Sequence, residues 1–232
     1  MAVALVSACG YVARSPGAGG DSAHFQRQLT HSQAVLLDVA GTVGADISVV
    51  GSAGQDVKLD AVPANDFSGV RLTTSNDSGW LRLRLDPSGS EKRHVKWLLE
   101  HHADATITLS VPRDIAVSVS AVNGSVQVED VHGPLTIRIV NGAIDVKGAG
   151  CVLSLHMVNG PIGVGISDLS RTPNVEVAGT NGSIDVTVPK SFRARVNAHT
   201  VFGPTEQGVN DPQAAGIVTL RLVAGPVTIS EQ

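Results

Sequence analysis

Aromatic residues are scarce in this 232-residue chain, at 3%, with two tryptophans, one tyrosine and four phenylalanines. A core built on large rings is therefore excluded. The 42% of apolar residues must fill it with Val, Ile, Leu and Ala, the small branched set that stacks well on pleated surfaces. The two cysteines, Cys9 and Cys151, could in principle form a disulfide, but nothing in their spacing supports it, and no CxxC spacing is present to hold zinc. Basic residues number 17 against 21 acidic ones, for a net charge of −4, and they are scattered. Nucleic acid binding needs a basic stripe and usually stacking aromatics, so a nucleic acid partner is excluded. No apolar run reaches the length of a membrane-spanning helix. Charged residues at 16% and 25 glycines fit neither a coiled coil nor a disordered tail.

What the chain does have is a nine-residue beat. Residues 122–166 read in frame VNGSVQVED, VHGPLTIRI, VNGAIDVKG, AGCVLSLHM, VNGPIGVGI. Glycine fills the third slot at Gly124, Gly133, Gly142 and Gly160, and Cys151 takes the remaining one as a small residue in a crowded turn. Slot five is always apolar (Val126, Leu135, Ile144, Leu153, Ile162), as is slot seven (Val128, Ile137, Val146, Leu155, Val164). Asparagine precedes glycine only in alternate units, at Asn123, Asn141 and Asn159. The true repeat is thus a pair of these units, two similar but non-equivalent halves. Short fixed periods of this kind signal stacked, quasi-one-dimensional architectures.

Apolar slots two apart give the period of a strand that shows one face to a core. Asn-Gly before each strand tolerates φ > 0 and permits a sharp corner. The same dipeptide is also the strongest short hairpin signal, so an antiparallel meander is the rival. A meander gives no reason for alternate turns to match, whereas equivalent corners of stacked coils do match. A hexapeptide-repeat β-helix is a second rival, since Val122, Val128, Val140, Val146, Val152, Val158 and Val164 share a six-residue grid. That grid fails at Pro134 and leaves glycine unexplained. The expected fold class is all-β, a parallel β-solenoid of about 18-residue, two-strand coils. About ten coils over residues 41–232, ~4.8 Å apart, give a body roughly 50 Å long. Strand structure is expected from about Ala34 to Ile229, with Val126, Val128, Ile144, Val146, Ile162 and Val164 buried.

Outside the repeats, residues 1–24 read as a truncated signal and tether, and 25–232 as a single solenoid domain. Val6-Ser7-Ala8-Cys9 resembles the lipobox of bacterial lipoproteins, which makes Cys9 a candidate lipidation site. SPGAGGDS at 15–22 has the composition of a flexible tether. Asn76-Asp77-Ser78-Gly79 makes a turn between two alternating runs. Residues 87–104 break the pattern, as an irregular or short helical excursion with Val95, Leu98 and Leu99 spaced for one helix face. Two longer echoes, VPRDIAVSVSAVNG at 111–124 and VPKSFRARVNAHTVFG at 188–203, each start with a Val-Pro that ends strand pairing.

The Val-Pro-bounded strand, the V-N-G-x-I/V-x-V units and the block TNGSIDVTVP at 180–189 together resemble the putative-adhesin β-solenoid domains of bacteria. The resemblance is best over residues 105–203, extends from Gly41 onward through GADISVVG, and does not cover the first 24 residues. It implies an extracytoplasmic or membrane-linked protein with a role in surface adhesion or envelope structure, and supplies no catalytic or binding residues.

No catalytic, cofactor or metal site is expected. His94, Glu100, His101 and His102 form the one local cluster of ligand-type residues, without HExxH or similar spacing. Lys92, Arg93 and Lys96 make a small basic patch beside them, suited in its functional reading to anionic lipid headgroups. His132 and His156 follow from their positions in the coil. Asp130, Asp145 and Asp185 would be the carboxylates of a glycan-active enzyme, but minimal coils with short loops do not exclude water. The expected partners are polysaccharide or envelope proteins, with self-association and a membrane anchor through a lipid. The alternatives are a carbohydrate-active or transferase solenoid enzyme, and a cytoplasmic polymerising scaffold if Met1 is the true start.

Overall fold

In the computed structural model the described residues are 11–17, 20–28, 34–40, 43–63, 70–87, 105–150 and 152–232. The excursion expected at 87–104 lies outside them from residue 88 onward, as do Cys9 and Cys151. Every regular element among the described residues is a strand. The fold is all-β.

Four long strands form its centre: β9 (Val117–Glu129), β10 (Leu135–Gly150), β11 (Val152–Asp168) and β12 (Asn174–Val188). They pair in parallel. Leu135 faces Val117 on one side and Leu153 on the other, so the register is one full repeat. Between β11 and β12 the register lengthens, as in Leu153 opposite Val175, because 167–174 inserts four further residues. Asn123-Gly124 and Asn141-Gly142 lie inside continuous strands and turn no hairpin.

Each long strand is bent at its Asn-Gly pair, and the burial pattern shows why. On either side of the corner in β10 the buried positions are Leu135, Ile137 and Ile139, then Ile144 and Val146; Ala149 and Gly150 are buried at the strand's end, past a register shift. The phase slips from odd to even across Asn141-Gly142. A straight strand would carry Ile144 and Val146 to the opposite face; the bend brings both halves round the same core. Strand halves before the corner make a front layer and those after it a back layer. All six residues expected to be buried are so, from Val126 at 0% to Val164 at 4% exposure.

Outward from β9 stand β3 (Ala34–Val39) and β4 (Gly44–Ser52), parallel to its two halves, then β7 (Trp80–Pro87) and β8 (Ala105–Pro112). Beyond these the sheet turns antiparallel. β5 (Asp56–Pro63) pairs with β8, and β6 (Val70–Asp77) with β7. β1 (Tyr11–Gly17) and β2 (Gly20–Gln28) close the back layer. At the other end β15 (Ile217–Ala224) and β16 (Val227–Glu231) lie beside β12, with β13 (Arg195–Phe202) and β14 (Thr205–Gln207) outermost.

Two expectations are corrected here. The sheet is mixed rather than wholly parallel, and its strands do not follow chain order at either end. Ser78 and Gly79, at φ 48° and 85°, form a two-residue turn of the type that reverses direction, which fixes β6 and β7 as antiparallel. At the C-terminal end the chain goes out to β13 and β14, then the loop at 208–216 brings it back, so β15 and β16 insert against β12. Within residues 1–24, expected to be signal and tether, 11–17 form β1 and 20–24 the start of β2; Ala23 and Phe25 are buried in the core. Alternating apolar side chains anchor β2 despite its polar neighbours.

Candidate functional surface

The bends stack. Asn141 Nδ2 donates to Asn123 Oδ1 at 3.0 Å, Asn159 Nδ2 to Asn141 Oδ1 at 2.8 Å, and Asn181 Nδ2 to Asn159 Oδ1 at 2.9 Å. A second ladder lies beside it. Gly124, Gly142, Gly160 and Gly182 have φ of 122°, 145°, 133° and 142°, and a Cβ at Gly142 would collide with the carbonyl of Gly124. The repeat keeps glycine here because backbones approach too closely for any side chain, in a conformation L residues avoid. Asn181 extends the ladder predicted from Asn123, Asn141 and Asn159, across the four-residue insertion.

The carboxylates singled out in sequence do not converge. Asp145 lies on the back-layer outer face, with Gly163 between it and Asp185, so the two are about 10 Å apart. Lys147 Nζ sits 2.9 Å from Asp145 Oδ2, and this contact raises the lysine pKa above its ordinary value. Asp130, at φ 56° in the turn after β9, faces Arg113 Nη2 at 3.4 Å. His132 approaches Asp168 at 3.8 Å, and His156 Nε2 lies 3.2 Å from Ser154 Oγ. Asp168 has its pKa held below the usual carboxylate value, chiefly by the backbone N–H of Ser170, which donates to it at 2.9 Å. These are local structural contacts. Among the described residues no group of three His, Cys, Asp or Glu side chains is placed to hold a metal ion. His94, Glu100, His101, His102, Lys92, Arg93 and Lys96 lie outside the described residues.

Sequence reasoning missed the front-layer outer face. Ser120, Arg138, His156, Ala178, Arg221 and His199 stand in one row across six strands. Nearer the corner runs a row of exposed valines, including Val140, Val158, Val223 and Val201. A shallow open groove of about 430 Å³ lies between the rows on β9–β12. The signal was present: Arg138 and His156, like Val140 and Val158, recur one full repeat apart.

Fold and surface together define a layered all-β protein with repeat-borne faces, and comparison with known proteins gives it a place. No family model matches the chain, and no curated protein matches it. Among solved structures it is similar to a "putative cell adhesion protein" from Clostridium sporogenes, 13% identical, with a TM-score of 0.54. That likeness covers 97% of this chain and all of the other, and it shows a shared fold. A "putative adhesin" from Bacteroides fragilis (16% identity, TM-score 0.34, 89% and 97% of the two chains) is more distant. So is a "putative lipid binding protein" from Parabacteroides distasonis (14%, 0.32, 92% and 98%). At those scores neither carries an argument.

Proposed function

We propose that this chain is a non-catalytic surface or envelope protein of the extracytoplasmic space, acting in adhesion or as a scaffold through extended repeat faces. Its centre, β9 to β12, is then a two-sided parallel β-solenoid, elaborated at both ends by strands that run out and back. The observation that carries the reading is the ladder arrangement. Equivalent side chains recur on successive strands, so polar groups are spread along a face rather than gathered at one point. Catalysis calls for convergent polar groups with perturbed pKa values in a pocket that excludes water. Binding through a repeated face is shallow and additive across neighbouring repeats. The fold shared with the C. sporogenes protein described as adhesive supports the same reading. The suggested partners are polysaccharide or envelope proteins.

In this proposal Cys9 is the site of lipid attachment. The test is fractionation of the native product expressed from its own gene. The wild-type protein should partition into detergent with the membrane fraction, and Cys9→Ala should release it. Unmodified Met1–Cys9 on mature cytoplasmic protein would remove both anchoring and export. Turnover of a glycan or ester, abolished by substitution at Asp130, Asp145 or Asp185, would overturn the non-catalytic reading.

A further inference from the structure

The two rows on the front-layer outer face form one surface. Val122, Val140, Val158, Thr180, Val223 and Val201 succeed one another on β9, β10, β11, β12, β15 and β13. Val140 is 38% exposed, Val158 41%, Val223 44% and Val201 57%. Phe202, next to Val201 at the outermost corner, is 71% exposed. From Val140 to Val201 is four strand spacings, about 19 Å. Single exposed apolar side chains are ordinary, but an aligned series that spans several strands marks an interaction site.

Two residues further from the corner, about 7 Å along each strand, runs the row that contains Arg138, His156, Arg221 and His199. Arg138, Arg221 and the exposed Arg195 at the start of β13 make no ion pair among the described residues. By contrast, Arg84 on the same layer is held by Asp38 and Asp86 at 3.1 Å. Glu176 is the carboxylate that shares this stretch of the face. The back-layer outer face is net acidic over the same strands: Asp46, Glu129, Asp145, Asp185 and Glu206 outnumber Lys147, which pairs with Asp145. An aliphatic ridge flanked by unpaired arginines, with acids on the opposite side, has the charge and polarity complement of an anionic bilayer. Aliphatic side chains enter the acyl boundary, and arginines extend to the phosphates. A neutral glycan is a poorer match, because sugar faces favour aromatic platforms and Phe202 is the one ring on the ridge.

We propose that the front-layer outer face docks on a bilayer rich in anionic phospholipid, with Val140, Val158, Val223, Val201 and Phe202 at the acyl boundary and Arg138 and Arg221 at the phosphates. The inference rests on the surface-binding reading above and names its partner. Docking would hold the long axis of the strand stack parallel to the membrane and leave the acidic face outward.

The test is vesicle flotation of the full chain carrying Cys9→Ala, so that no acyl chain contributes. The protein should float with vesicles of phosphatidylcholine plus phosphatidylglycerol, and not with phosphatidylcholine alone. High salt should release it, since the attraction is screened. Arg138→Ser with Arg221→Ser should weaken binding roughly tenfold to thirtyfold, at about 1 kcal/mol per basic residue. Arg138→Lys with Arg221→Lys should retain most of it. Val158→Ser with Val223→Ser should weaken it roughly tenfold, and Asp145→Asn with Asp185→Asn on the far face should not. All these side chains are at least partly exposed, and urea midpoints confirm that each variant is folded. Absence of flotation at low salt, or flotation unchanged in both the arginine and the valine variants, overturns the proposal. Binding to an acidic polysaccharide such as alginate without binding to vesicles also overturns it, and leaves the broader surface-binding reading standing.

Discussion

Replacing Gly142 by alanine probes the stacked corner, and the structure sets the size of the effect. Gly142 has φ 145°, and an added Cβ would run into the Gly124 carbonyl on the neighbouring strand. The backbone conformation alone costs an L residue about 1–3 kcal/mol. Relief of the collision requires β9 and β10 to part at the corner, which breaks the Asn141–Asn123 bond between them and, as β10 shifts, strains the Asn159–Asn141 bond on its other side. Each such bond contributes about 0.5–1.5 kcal/mol net, at the low end here because the corner is exposed. The sum is roughly 3 kcal/mol, a fall of about 6–12 °C in Tm for a chain of this size. Gly163 supplies the control. Its added Cβ would lie 3.5 Å from Asp145 Oδ1, ordinary van der Waals contact, on the outer back face. Gly163→Ala should therefore stay within about 0.5 kcal/mol of wild type. Urea titration followed by circular dichroism reads both. A Gly142→Ala variant as stable as Gly163→Ala would refute the close approach of successive corners.

Other perturbations follow the same geometry. Ile144, 1% exposed, should tolerate no charge: Ile144→Asp should cost several kcal/mol or abolish cooperative unfolding, read by urea titration. Asn159 holds two ladder bonds and Asn181 one, so Asn159→Ala should cost about twice as much as Asn181→Ala, in total about 1–2 kcal/mol. Asp168 has a pKa below its ordinary value in the folded chain, so its contribution to stability is present above the unfolded-state pKa. It is lost as pH falls through the lowered one, and Asp168→Asn should flatten the acid limb of a stability–pH profile.

The centre of the fold was legible because one local rule, apolar side chains two apart and Asn-Gly at a fixed interval, specifies both burial and bend. Val126, Ile144 and Ile162 each carry that rule in a short stretch of chain. The ends were not legible for a physical reason. Whether β13 or β15 lies against β12 depends on a loop that returns the chain, and either strand alternates equally well in that place. The turn at Ser78-Gly79 could be read, yet the position of β6 beyond β7 and of β5 beyond β8 could not, since parallel and antiparallel neighbours present the same alternation. On the surface, Val140 and Val158 fell on a six-residue grid and suggested a rival helix, when their meaning was an exposed row. Arg138 and His156 are unremarkable singly and become a row only once the repeat register aligns them.

Deletion of one whole repeat tests the stacked register most directly. Removal of residues 142–159 takes out one full repeat and joins Asn141 to Gly160, so the Val-Asn-Gly corner is rebuilt and every later strand keeps its layer. Removal of 142–150, half a repeat, joins Asn141 to Cys151 and sends each following half-strand to the wrong layer. Urea unfolding of the two variants, followed by circular dichroism, should give a cooperative transition at reduced stability for the first and none for the second. Equal tolerance of the two deletions, or loss of cooperative folding in the full-repeat variant alone, would contradict the account.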